Sequence, residues 1–180
     1  MRSALRAGTR AAHDATEALF DRFDLVTDAG LQATLRAHIG ALTALLPSLA
    51  ADPLFAGEAS RLRDLALGSL EHSSGVAETF AAPEEGGQAI PALAAAYVIF
   101  GSRLGSRVIA RRLMAAGILA ETGAHAYFCD QGSGEAWQSL LSQLDAYEDC
   151  EAALVDGANA AFAMFQEQAE LQNRAIARGL

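Results

Sequence analysis

Only four prolines interrupt these 180 residues, and no apolar run is long enough to cross a bilayer. The longest such stretch, Ala89 to Phe100, contains Pro91 and falls short of a hydrocarbon core of ~30 Å, so the chain is not expected to span a membrane. Cysteine is scarce too. Cys129 and Cys150 have no metal-type spacing, and a chain with this much apolar content does not need a bridge, so both are expected to be reduced thiols. Positive charge is in deficit, with 13 basic against 22 acidic residues and a net charge of −9. That balance argues against nucleic acid, which needs a clustered excess of cations. Arg2, Arg6 and Arg10 are not followed by an uninterrupted apolar block, so the start lacks the layout of a secretory signal, and a cytoplasmic location is the default expectation.

What is abundant is alanine and leucine, within a 52% hydrophobic content that favours long packed helices over a sheet. The expectation is one all-α domain covering residues 1–180, large enough to enclose a sizeable ligand. A first helix is predicted from a Ser3 cap to about Phe20. A second starts at an Asp28 cap and ends at Pro47, and a third covers about Glu58 to His72. Pro83 and Gly86-Gly87 mark residues 73–88 as an irregular connection. Pro91 suits the first turn of a fourth helix that passes through Gly101 and Gly105 and stops at Gly117. A loop from Glu121 to Gly134 holds Tyr127-Phe128. Two more helices follow, from about Glu135 to Tyr147 with Trp137 inward and from about Cys150 to Ala177 with Phe162 and Phe165 inward.

Two features carry chemistry. On the first predicted helix Arg6, Arg10, His13 and Glu17 are spaced by four, three and four residues, which lines them along one stripe. A carboxylate one turn after an imidazole can orient it, and cations one and two turns before it could meet the propionates of a heme whose iron takes the neutral imidazole. The same spacing also suits an ordinary exposed helix face. The second feature is Gly101 and Gly105 inside a helix, each costing roughly 1 kcal/mol against alanine. They mark a close approach by another helix, a flat ligand, or a kink. The remaining histidines are less suggestive. His38 sits between apolar turns and reads as a hydrogen-bonded structural residue, His72 lies at a helix C-terminus, and His125 lies in a loop.

These residues resemble the bacterial heme oxygenases, especially those that supply biliverdin to bacteriophytochromes. Leu5-Arg6-Ala7-Gly8-Thr9-Arg10-Ala11-Ala12-His13-Asp14-Ala15-Thr16-Glu17 is similar to the family's opening helix, L-R-x-x-T-x-x-x-H-x-x-x-E. The segment from Tyr97 through Gly101-Ser102-Arg103-Leu104-Gly105-Ser106 to Leu113 is similar to its distal helix, and Tyr127-Phe128, Trp137 and the phenylalanines of the last helix follow in the same order. The resemblance implies a single-domain helical bundle holding heme between a proximal first helix and a glycine-kinked distal helix. It implies His13 as the iron ligand with Glu17 beside it. Arg6 and Arg10 would meet the propionates, Tyr97, Phe162 and Phe165 would line the heme, and Gly101, Ser102, Gly105 and Ser106 would form the distal face. Its activity is the opening of heme to biliverdin with release of iron and carbon monoxide. Heme is then both substrate and cofactor, molecular oxygen is the co-substrate, and electrons come from a ferredoxin or reductase. A bacteriophytochrome is the implied acceptor of the product.

The chain departs from the pattern at three places. Phe100 stands where glutamate is usual, Ser106 replaces the second glycine of a pair and could either narrow the distal face or hydrogen-bond a water there, and no basic residue lies between Glu151 and Gln172. The first two motivate an alternative, a non-catalytic carrier, sensor or signalling partner that binds heme or a bilin.

Overall fold

The computed structural model describes residues 1–80, 90–115, 117, 123–147 and 151–178. Every regular element among them is helical. They are α1 (Arg2–Gly8), α2 (Arg10–Phe20), α3 (Asp28–Leu49), α4 (Pro53–Ser74), α5 (Ala92–Ala115), a 3₁₀ turn (Gly123–His125), α6 (Ala126–Cys129), α7 (Gly134–Asp145) and α8 (Glu151–Ala177). The all-α expectation holds. Cys150, Pro83, Glu84-Glu85 and Gly86-Gly87 lie outside the described residues.

The helix ends follow from side-chain chemistry, and several differ from expectation. The first helix is not continuous, because Thr9 separates α1 from α2. Its Oγ1 donates to the Leu5 carbonyl at 2.7 Å, a back-bond that bends helices. Thr27, not Asp28, caps α3 by accepting from the Gly30 amide. Pro47 lies inside α3, two residues before its end at Leu49; its fixed φ suits the last turn, where only one backbone bond is lost. The chain then reverses quickly. Asp52 Oδ1 accepts from Leu54 and Phe55 amides at 3.0 and 3.1 Å, and Pro53 occupies the first turn, so α4 begins five residues before Glu58. Gly75 closes α4 and Gly117 follows α5, both with left-handed φ (70° and 78°) that strains any residue with a Cβ. Tyr127 and Phe128, expected in a loop, sit on α6 and are buried.

The core is built around α3 and α8. Leu35, Ile39, Leu42, Leu45 and Leu49 of α3 are fully buried with Phe55, Leu62 and Leu70 of α4 and Leu154, Ala158 and Ala161 of α8. Phe100 belongs to this core, its ring 5.6 Å from that of Phe55. A glutamate there would bury a charge among apolar side chains. Although α5 is long and apolar enough for a bilayer by length and composition, it packs within the bundle on α3, α6, α7 and α8.

Two helices matter most for the site. Both α2 and α5 lie along α8, whereas they do not pack extensively on each other. At one end of α8, a Cβ on Gly157 would stand 2.5 Å from Pro91 Cδ, so this glycine permits the start of α5 to come close. Asn159 reaches Gly8 nearby, while fourteen residues on Asn173 reaches Leu19. The C-terminal ends meet again where Arg112 approaches Asp21 at 3.9 Å. The two helices therefore run along α8 in the same direction.

Candidate functional site

None of the residues of α2 is fully buried. This helix and the end of α1 before it are fastened instead by amides at heptad spacing on α8. Asn159 Nδ2 donates to the Gly8 carbonyl at 3.3 Å, Gln166 Nε2 to the Ala12 carbonyl and to Thr16 Oγ1 at 3.0 Å each, and Asn173 Nδ2 to the Leu19 carbonyl at 3.3 Å. Seven-residue spacing returns to nearly the same side of a helix, so the three polar side chains follow the chain from the end of α1 along α2. This row was missed in the sequence, although Asn159, Gln166 and Asn173 stand there at a visible interval.

Between the C-terminal parts of α2 and α5 lies a cleft of about 420 Å³, lined by residues 20–26, Thr34, Ile109, Arg112 and Leu113. Phe20, Phe23, Leu25, Ile109 and Leu113 give it apolar walls, and its charged lining is balanced, Arg22 and Arg112 against Asp21 and Asp24. His13 precedes Phe20 by seven residues and shares its face of α2; Gly105 precedes Ile109 by four and Arg112 by seven and shares theirs. At 1.5 Å per residue, His13 lies about 12 Å above Asp21 and Gly105 about 10 Å above Arg112. Counted from the Asp21–Arg112 approach, the imidazole and the glycine lie at similar distances along their helices, beyond the residues that line the cleft.

His13 is half-exposed at 55%, and its ring meets Phe162 edge-on at 5.9 Å. Its Nδ1 faces two carboxylates, Asp14 at 3.6 Å and Glu17 at 3.8 Å. Arg10 lies 3.6 Å from Asp14 and Arg6 is exposed. The break at Thr9 puts Arg6 on α1 and the other three on α2, so the four-residue stripe is shared between two helices.

On α5, a Cβ on Gly105 would meet nothing within 4 Å, and one on Gly101 only Trp137 at 4.0 Å. Leu104 and Val108 beside them are exposed. Neither glycine serves a close helix contact here, and the face they open is bare backbone flanked by apolar side chains. Tyr97 is half-buried one turn earlier, and Phe162 and Phe165 are buried on α8. Ser102 Oγ donates to the Ile99 carbonyl at 2.7 Å. Ser106 corrects an expectation. It is buried, and its hydroxyl accepts from Arg103 Nη1 at 2.9 Å, so it turns into the protein and does not narrow the open face.

His38 is the structural histidine its setting suggested. Its Nδ1 meets the Tyr127 hydroxyl at 3.0 Å, and its ring packs edge-on against Phe20 and Phe165. Burial, with the nearby Arg103 charge, pushes it down to about 3, so it is neutral at ordinary pH. Beyond Arg103, Asp130 and Glu58 share Arg61. Burial alone would raise both carboxyls, but the Arg61 bonds outweigh it and hold them below the usual range. His72 lies in the last turn of α4 as expected, and His125 ends the 3₁₀ turn.

Comparison with protein-family models and with curated proteins finds no match for this chain.

Proposed function

We propose that this chain is a heme oxygenase that opens heme to biliverdin, iron and carbon monoxide, with His13 as the axial ligand. What supports the reading is an exposed imidazole on α2 and two open glycine positions on α5, two helices that lie along α8 and approach each other at Asp21 and Arg112. The donor set fits the group. Heme iron takes one neutral imidazole nitrogen, and the exposed ring of His13 could supply it.

Heme when bound supplies the oxygen chemistry and is also the molecule consumed. The residues of the chain do the rest. His13 would hold the iron, Gly101 and Gly105 would leave room for oxygen, Phe20, Ile109, Leu113 and Phe162 would keep water from the macrocycle, and Arg6 and Arg10 would offer charge-assisted bonds to the propionates. Molecular oxygen is the co-substrate, a ferredoxin or reductase supplies electrons, a bacteriophytochrome is the proposed recipient of the product, and the cytoplasm is the proposed location. Ser106 is buried and bonded to Arg103, so it leaves the open glycine positions of α5 unnarrowed.

The test is addition of hemin to the purified protein, followed by a reductant in air. A Soret band that gives way to a bilin spectrum supports the proposal. A stable Soret band under those conditions identifies a carrier or sensor, and no Soret band removes heme from the account.

A further inference from the structure

Arg103 is only 7% exposed, and among the described residues its one carboxylate partner is Asp130, whose Oδ2 lies 4.0 Å away and is bonded to Arg61 at 2.8 Å. Among the described residues, Arg103 Nε has no hydrogen-bond partner. A buried cation so weakly matched is an expensive way to fill space, since an apolar side chain of similar volume is often as stable or more so. Its remaining bonds show what the guanidinium holds. Nη2 donates to the main-chain carbonyls of Tyr127 at 2.6 Å and Asp130 at 3.2 Å, Nη1 donates to Ser106, and the group lies 4.6 Å from the centre of the Tyr127 ring.

Arg103 sits midway between Gly101 and Gly105, and two residues is about 200° around a helix. Its side chain therefore leaves the helix on the side opposite the open glycine face. The two glycines weaken this turn by roughly 1 kcal/mol each. Arg103 is the cross-link that ties the weakened turn, from behind, to α6. The tie continues through Tyr127 to His38 and from His38 to Phe20 on the far wall of the cleft.

We propose that Arg103 is a positioning residue that holds the Gly101–Gly105 turn of α5 against α6 and so sets its height over the cleft. The second half of this statement rests on the heme oxygenase reading. The test uses Arg103→Met, Arg103→Lys and the milder Ser106→Ala, with two readouts. In heme-free protein, amide hydrogen exchange over residues 99–107 should rise roughly tenfold in Arg103→Met while α3 and α4 are unchanged, because charged hydrogen bonds of this kind are lost. Arg103→Lys should recover part of the protection. With hemin bound and reduced, Arg103→Met should shift the carbon–oxygen stretch of the carbonyl complex and broaden the distribution of biliverdin isomers, and Arg103→Lys should restore both in part. If Arg103→Met does not fold, the same changes are expected on a smaller scale in the other two variants.

Unchanged exchange over 99–107 would overturn the positioning role outright. Raised exchange with an unchanged stretch and isomer pattern would overturn its link to the cleft while leaving the heme reading intact. Failure of the parent to bind hemin would remove the heme reading, and the exchange result alone would then decide the structural tie.

Discussion

The hydroxyl of Tyr127 lies 3.0 Å from Nδ1 of His38, inside a cage of Phe20, Phe128 and Phe165 rings. His38 is held neutral there, with its pKa pushed from 6.5 down to about 3. The unfolded chain therefore binds a proton that the folded chain refuses between those values, and stability falls as pH drops through that window. One such proton corresponds to about 1.4 kcal/mol per pH unit. Denaturant midpoints between pH 6.5 and 4.5 should fall steeply for the parent and less so for His38→Gln, which keeps a partner for Tyr127. Equal slopes would mean that other groups govern the acid limit.

The amide row on α8 makes a separate prediction. Gln166 contributes two half-buried bonds to α2, each worth about 0.5 to 1.5 kcal/mol. Gln166→Ala should raise hydrogen exchange in α2 and leave α3 protected, because α2 has no fully buried side chain to compensate. Exchange that rises throughout the molecule would contradict a local fastening.

Gly105→Leu should leave the fold intact, since the helix gains propensity and the new side chain begins in open space. It should nevertheless slow or abolish oxygen-dependent loss of the Soret band at equal heme occupancy. Gly105→Ala should be milder. An unfolded Gly105→Leu protein would show that the glycine serves packing after all, and a folded one with parental turnover would take α5 out of the site.

Removal of both Arg6 and Arg10 should weaken heme binding by about 1 to 3 kcal/mol in total, a modest figure because both side chains are solvent-exposed. The loss should shrink for a heme dimethyl ester, which lacks the anionic groups. Isothermal or spectroscopic titration of both ligands decides it, and equal losses would assign these arginines to folding.

The fold class was legible because alanine-rich amphipathic stretches announce helices wherever they pack, and Pro91, Gly117 and His72 marked ends that the structure keeps. The boundaries that moved did so through local side-chain bonds. Thr9 bends its own helix, and Asp52-Pro53 starts α4 early, a signal that was present in the sequence but outweighed by the apolar pattern further on. His13, Gly101 and Gly105 could be read from spacing as special positions. Which way Ser106 turns could not, because it depends on Arg103, and Arg103 turns inward only because α6 supplies carbonyls 24 and 27 residues away. The cleft lining of Phe20, Ile109, Arg112 and Leu113 was likewise hidden, since it forms only when two helices converge along a third.

The most direct measurement is the absorption spectrum of the hemin complex for the parent and for His13→Ala. The parent should give a Soret band typical of imidazole ligation, His13→Ala should fold normally and lose that signature, and added imidazole should restore it. An identical spectrum in the two proteins, or no complex with the parent, would contradict the assignment of His13 as the iron ligand.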